Sequence, residues 1–453
     1  MDEETILANV ASMTAEQLFN EIKDGNVTLD KIKKTGNLDV TKRNKIISLQ
    51  QQLDSIDNDD WERARYGNEL ALSDYITKHP VGIYVAEAKQ KIDIKEQQRA
   101  DLTAQKQKIL DDITQNPNSY PIETIIKFLK DDAYGISKSD LENCNIPRSA
   151  IDNLDNVKKP KLILGETPTE IPPGFTEVYF WGSTGSGKTC ALGAIMQMAQ
   201  KKGYLNMAAG TGYAYAHQLM NIFSDDGIAN DYLPGPTPLD NTQYLPFTLK
   251  RPDERNSRSI SLIELSGEIF KCFFRINAGQ RLDTQEHVDT FDSLNSFLKN
   301  DNRKIHFFFI DYNKENKPDS LGITQGNYLS AASTYFGNNK IFGKSTDAIY
   351  VVLTKSDLLK DETGSFVPYE KRVEYAKKYL DDNNYKAFIN TLKAICKKES
   401  INAGVLTVEP FSLGKVFFED ICDFDGRSAA AIVEILMDRV PSSRNSILDF
   451  LKK

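Results

Sequence analysis

The chain has 453 residues, of which 40% are hydrophobic and 26% charged, and a formal net charge of −8. That length predicts two or three domains with sizeable cores, and the acidic balance argues against a general binder of nucleic acid or of anionic membranes. The acidic start Met1-Asp2-Glu3-Glu4 lacks the pattern of a leader, and no stretch approaches the roughly 18 apolar residues of a spanning helix, so a cytoplasmic protein without a membrane span is expected.

Residues 1–157 lack the period-two alternation of strands and read as helical. Thr14 is placed to cap a helix carrying Leu18 and Ile22 that stops near Gly25. Thr28 is placed to cap the next, with Ile32 inward, and Leu38, Ile46 and Ile47 follow. A similar plan returns with Ile122, Ile125, Ile126 and Leu129, then Ser137 as cap, Leu141, Ile146 and Leu154. These segments, 1–55 and 119–157, read either as divergent copies of one small helical module or as two unrelated amphipathic helix pairs. Between them lie Asp59-Asp60-Trp61-Glu62-Arg63-Ala64, then His79-Pro80-Val81-Gly82, then Ala86 and Ala88. Helix, H-P-x-G turn and alanine-bearing helix resemble a tetratricopeptide-like hairpin over 56–118. The resemblance implies a protein-binding surface; the plainer alternative is a spacer. Ile92 to Gln115 reads as a charged, solvated helix.

Residues 158–174, from Lys158-Lys159-Pro160 to Ile171-Pro172-Pro173-Gly174, read as a linker, because the prolines cannot join a helix. A second domain is expected over 175–453. It opens on the apolar run Val178-Tyr179-Phe180-Trp181. Gly182-Ser183-Thr184-Gly185-Ser186-Gly187-Lys188-Thr189 follows, and then Cys190-Ala191-Leu192 begins a helix. Strand, glycine-rich turn and helix are the context that the G-x-x-x-x-G-K-[ST] pattern requires. Its backbone N–H groups and the helix dipole favour a phosphate chain. Lys188 is expected at the β/γ-phosphates and Thr189 on Mg²⁺.

Further elements follow in order. Leu245 to Leu249 reads as a strand after a turn-rich loop holding Thr237 and Thr242. Ser259 to Glu264 reads as a strand ending in Glu264-Leu265-Ser266-Gly267-Glu268, and the aromatic stretch Ile269 to Phe274 comes next. Lys304 to Asp311 is a buried strand ending in an acid. Asp347 to Leu353 is an apolar run ending in Thr354-Lys355-Ser356-Asp357. Val405 to Val408 leads to Ser412-Leu413-Gly414, and a helix over Arg427–Val440 closes the domain.

This series resembles the P-loop GTPases of the Ras-like and translation-factor-related (TRAFAC) class. The resemblance implies an α/β fold with a mostly parallel sheet, a GTP/GDP site and Mg²⁺. It places Asp357 on guanine N1–H and N2–H₂, Thr354 and Lys355 beside it, and Ser412-Leu413 at guanine O6. It places Glu264 as the metal-linked acid, one methylene longer than the family's Asp. Gly267 then offers its N–H to the γ-phosphate, and Glu268 stands where the family carries a glutamine. The two carboxylates imply slow hydrolysis of GTP to GDP and phosphate, or a scaffold that binds without turnover. The threonine of the first switch is expected to be Thr237, with Thr242 as the alternative. A rival reading takes Asp311 as the metal-linked acid of an ATP-hydrolysing enzyme. The expected protein is a nucleotide-dependent switch whose helical N-terminal region meets a protein partner.

The five cysteines, Cys144, Cys190, Cys272, Cys396 and Cys422, form no C-x-x-C pair. His79, His217, His287 and His306 show no metal-ligand spacing. Neither a disulfide framework nor a zinc site is expected.

Overall fold

The computed structural model describes residues 1–155, 159–165, 168, 170–207, 209–210, 212–223, 232–235, 242–315 and 317–442. The chain divides into two compact units. One holds Met1–Asp111 and Asp131–Ile136, and the other Asp112–Lys130 and Ser137–Lys453.

The first unit is helical: α1 Glu3–Ala8, α2 Ala15–Lys23, α3 Leu29–Lys34, α4 Val40–Ala64, α5 Glu69–Lys78 and the start of α6 Val85–Gln115. Thr14 forms a capping box with Gln17, and Thr28 caps α3 through Lys31 N–H. Two small cores result. Ile6, Leu18, Ile32 and Ile46 make one, and Trp61, Leu72, Tyr75 and Ala88 the other. α4 runs without a break across position 55 and supplies both. At the turn between α5 and α6, buried Asp57 accepts from the Tyr75 hydroxyl and from Ile83 N–H at 2.7 Å. His79 bonds to Asp60 at 2.9 Å. Trp61 stacks on Tyr84 at 5.2 Å.

The second unit begins with α7 Ile122–Lys130, α8 Lys138–Asn143 and α9 Arg148–Asp152. Its centre is a seven-stranded sheet: β1 Thr176–Trp181, β2 Leu205–Asn206, β3 Gln243–Leu249, β4 Arg258–Glu264, β5 Arg303–Asp311, β6 Thr346–Thr354 and β7 Thr407–Pro410. The strand order is β2-β3-β4-β1-β5-β6-β7. β4, β1, β5, β6 and β7 run parallel, while β3 is antiparallel to its neighbours. The strands β1, β5 and β6 carry the buried apolar runs Val178–Trp181, Phe307–Ile310 and Ala348–Leu353, as expected where helices cover both faces. On one face lie α10 Lys188–Lys201, α11 Tyr213–Ile222 and α17 Arg427–Arg439. The other carries α12 Ile269–Asn277, α13 Gln285–Lys299, α14 Gln325–Asn338, α15 Arg372–Asp382 and α16 Lys386–Glu399. The aromatic stretch after Gly267 is α12, and it turns Ile269, Phe270 and Phe273 into the core. A hairpin, β8 Gly414–Phe417 with β9 Ile421–Phe424, precedes α17.

The division between units falls near residue 111, upstream of the proline-rich segment 158–174. Local contacts explain the difference. Asn118 bonds both ways with the β8–β9 hairpin, donating to Val416 O at 2.9 Å and accepting from Glu419 N–H at 2.7 Å. The Tyr232 hydroxyl donates to Leu154 O at 2.9 Å. Described residues of the proline-rich segment pack within the sheet unit. Ile163 N–H donates to Gln218 at 2.6 Å, Gly165 N–H donates to Gln243 at 2.8 Å, and Ile171 is buried in the core. No helix among the described residues is long and apolar enough to cross a membrane.

Candidate functional site

The site lies where the parallel strands end. β1 stops at Trp181, the loop Gly182–Gly187 turns, and α10 starts at Lys188. The turn needs glycine at 182. Its φ is 155°, and a Cβ there would stand 2.5 Å from Ser186 Oγ and 2.7 Å from Phe309 O.

The loop's carbonyls are pinned from outside. Lys188 Nζ donates to Gly182 O at 2.7 Å and Ser183 O at 3.2 Å. Lys314 Nζ donates to Thr184 O at 2.6 Å, and Thr354 Oγ1 donates to Ser186 O at 3.0 Å. In a trans peptide the next residue's N–H points opposite to the carbonyl. Pinning these carbonyls therefore turns the N–H groups of Ser183, Thr184, Gly185 and Gly187 away from the pinning side chains, at the N-terminus of α10.

Lys188 is buried, and burial pushes its pKa down to about 8. Glu264 pulls it up, and Lys314 adds repulsion. Lys314 is lowered as well, by burial first and then by Lys355 and Lys317, against Asp311. A second lysine thus stands at the loop, unforeseen from the pattern.

Glu264, the last residue of β4, is completely buried. It accepts from the Thr189 hydroxyl and from the Tyr215 hydroxyl, the latter at 2.7 Å. The pair of Thr189 and Glu264 is thus brought together, and Tyr215 of α11 joins it. A hydroxyl and a carboxylate beside the glycine-rich loop are hard oxygen donors of the kind that suit Mg²⁺. Of the two first-switch candidates, Thr237 lies outside the described residues. Thr242 is buried and adjoins Gln243, the register partner of Glu264 across β3 and β4. Asp311 is also buried, but its carboxylate pairs with Lys355 Nζ at 3.0 Å and accepts from Asn313 N–H at 2.9 Å.

Gly267 lies directly on the loop: a Cβ there would fall 2.1 Å from Thr184 N, so only glycine permits the approach. Glu268 accepts from Thr184 Oγ1 at 2.9 Å and pairs with Lys271 at 2.6 Å. Gln325, at the start of α14, was not singled out by any motif. Its Oε1 accepts from Asp311 N–H at 3.0 Å and Ser183 Oγ at 3.2 Å, while its Nε2 donates to Asp311 O at 3.1 Å and Tyr385 Oη at 2.9 Å. It ties the end of β5 to the loop.

Beside the loop, β6 ends at Thr354, whose hydroxyl spans Ser186 O and Ile310 O. Lys355 then takes a left-handed φ of 55°, which turns the chain into Ser356-Asp357. Asp357 accepts from Ser412 Oγ at 2.6 Å. Ser412 is held in turn, accepting from Gly414 N–H at 3.0 Å and donating its own N–H to Ser428 Oγ at 3.1 Å. Leu413 O accepts from Asp425 N–H at 2.7 Å, which shapes the neighbouring turn. Burial raises the Asp357 pKa, against its hydrogen bonds and the fields of Arg372 and Lys355. A desolvated carboxylate beside an exposed lysine is a strong acceptor for paired N–H donors.

No protein-family model and no curated protein matches the chain. Among solved structures, two crystal structures of the S. cerevisiae Ski7 GTPase-like domain are similar, one bound to GTP and one to GDP and inorganic phosphate. Each match has 15% sequence identity and a TM-score of 0.27, and covers 59% of this chain and 51% of the other. The chain thus spans about half the length of those structures.

The cysteines are free thiols. Cys190, after Thr189, is half-buried, and burial pushes its thiol up to about 12. His306 is buried within β5, where burial lowers its pKa to about 3, and it accepts from Trp181 Nε1 at 3.0 Å.

Proposed function

We propose that this chain is a guanine-nucleotide switch of the TRAFAC class of P-loop GTPases, acting in the cytoplasm. The observation that carries the reading is the loop Gly182–Gly187. Its carbonyls are held outward by Lys188, Lys314 and Thr354, at the carboxyl ends of parallel strands. Such a cradle is pre-organised for a phosphate chain, with Lys188 as the buried cation. Thr189 and Glu264 would hold Mg²⁺, which offsets phosphate charge when bound.

The Asp357–Ser412 pair supports guanine over adenine. The carboxylate is an acceptor for N1–H and N2–H₂, and adenine offers no such pair of donors. The stem of Lys355 covers one side of the base, with Thr354 fixing the start of the turn and Leu413 in the turn at O6. Hydrolysis is slow in this reading. Glu268 is committed to Thr184 and Lys271, and it adds negative charge where water would attack. The helical N-terminal region, in which 56–118 resembles a tetratricopeptide-like hairpin, meets a protein partner. Its exposed Tyr66, Leu70 and Ile83 are apolar side chains suited to that contact.

The second reading, an ATPase with Asp311 on the metal, is disfavoured because Asp311 is engaged by Lys355 and Asn313 while Glu264 meets Thr189. Titration calorimetry of the intact protein with GTP, GDP and ATP decides between them. Micromolar or tighter guanine-nucleotide binding with at least a hundredfold weaker ATP binding is expected. Preference for ATP, or no binding of either, removes the proposal.

A further inference from the structure

The Glu264 carboxylate is held by two hydroxyls from two different helices. Thr189, on the first turn of α10, donates to Oε1. Tyr215, on α11, donates to Oε2 at 2.7 Å. Both Glu264 and Tyr215 are fully buried, and α11 packs against α10. A glutamate has one more rotatable bond than an aspartate, and fixing that bond costs conformational entropy. A longer acid holds one reach at a metal site when a partner fixes its end.

We propose that Tyr215 is the positioning residue for Glu264, so that its hydroxyl holds the longer carboxylate at the reach that Mg²⁺ on Thr189 requires. This rests on the nucleotide reading above. The hydroxyl belongs to α11, which lies in sequence between the glycine-rich loop and β3. The metal site is therefore tied to the position of that helix.

Outer partners that orient a metal-linked group characteristically set metal affinity by 10- to 100-fold. The test uses the full chain loaded with N-methylanthraniloyl-GDP, whose release is followed as Mg²⁺ is titrated down. Tyr215→Phe removes only the hydroxyl. It is expected to raise the Mg²⁺ concentration for half-retention about tenfold, while nucleotide affinity in excess EDTA stays at the wild-type value. Glu264→Asp, too short to reach the tyrosine, is expected to show a similar shift by itself, and adding Tyr215→Phe to it changes nothing more. An unchanged Mg²⁺ midpoint in either single variant overturns the proposal. So does a loss in Tyr215→Phe that is equal with and without Mg²⁺, or two shifts that simply add. Wild-type protein that retains the nucleotide without regard to Mg²⁺ also overturns it, and leaves the nucleotide reading standing. Wild-type protein that binds no guanine nucleotide removes both.

Discussion

The hydroxyl of Thr184 donates to the carboxylate of Glu268 at 2.9 Å, tying the middle of the glycine-rich loop to the segment that follows β4. Glu268 is balanced on its other side by Lys271 at 2.6 Å. The contact places a negative charge beside the glycine-rich loop, next to Gly267, whose backbone lies against that loop.

That charge predicts the effect of Glu268→Gln. The amide oxygen still accepts from Thr184, and the charge is gone. Repulsion between a carboxylate and a phosphate group about 6 Å away is roughly 2–3 kcal/mol at an effective dielectric of about 20, and Lys271 cancels part of it. A net gain of about 1 kcal/mol, or about fivefold, is expected in GTP affinity relative to GDP. Single-turnover hydrolysis is expected to rise severalfold as well. Calorimetry and phosphate release on the two proteins check both, and coinciding values place Glu268 outside the catalytic shell.

Lys188 gives a prediction about stability. Its pKa falls from 10.5 to about 8, by burial above all. Between those values the unfolded chain holds a proton that the folded chain lacks, so stability from this group rises as pH climbs from about 8 to about 10.5, and the cost is complete below 8. That depression corresponds to about 3 kcal/mol, less about 2 for the two carbonyl bonds that a neutral amine also makes and methionine cannot. Lys188→Met is therefore expected to stabilise the nucleotide-free protein by about 1 kcal/mol at pH 7 and to destabilise it near pH 10.5. The same variant is expected to lose triphosphate binding. Thermal melts across pH check the sign; a variant less stable at pH 7 contradicts it.

Much of this site was legible before folding. Val178–Trp181, Lys304–Asp311 and Asp347–Leu353 are apolar runs of strand length bounded by glycine or polar turns, and they became β1, β5 and β6. Residues joined by local chemistry, such as Gly182 to Thr189, could be read as a unit. Tyr215, Lys314 and Gln325 could not, because each acts across the tertiary fold on a residue 49, 130 or 142 positions away. Nothing in their neighbours marks them, although Lys314 three residues past a strand-ending acid is a usable hint. The boundary near residue 111 was hidden for a related reason. Prolines signal an irregular path, and an irregular path can still pack, as Ile163, Gly165 and Ile171 do.

That boundary predicts how fragments behave. Residues 112–453 keep Asn118 on the β8–β9 hairpin and Leu154 on Tyr232. A fragment starting at 166 loses both contacts and uncovers the α7–α9 side. Four to five hydrogen bonds at about 1 kcal/mol each, with the apolar area beneath them, make the loss several kcal/mol. The longer fragment is expected to unfold cooperatively near the melting temperature of the sheet unit in the intact chain. The shorter is expected to melt at least 5 °C lower or to precipitate. Equal melting temperatures by calorimetry would show that residues 112–165 add nothing to the fold.

Asp357 carries the test of base recognition. Its carboxylate accepts from Ser412 at 2.6 Å, and burial raises its pKa. A carboxylate aimed at guanine N1–H and N2–H₂ must be ionised to accept from both. GTP affinity should therefore fall as pH drops through the raised pKa, earlier than an ordinary aspartate would allow. Asp357→Asn replaces one acceptor oxygen with a donor that faces N2–H₂ and leaves a buried amine unpaired. A loss of roughly 2–4 kcal/mol in GTP binding is expected at neutral pH. Xanthine presents an oxygen at that position, so the amide finds an acceptor and xanthosine triphosphate should bind more tightly to the variant than to the wild type. Ser412→Ala removes the hydroxyl that orients the carboxylate and should cost less, about 1 kcal/mol, without gaining xanthosine triphosphate. Titration calorimetry of the three proteins with both nucleotides separates these outcomes. If GTP binds the wild type and Asp357→Asn equally well, the carboxylate does not face the base, and guanine recognition must be sought elsewhere in the fold.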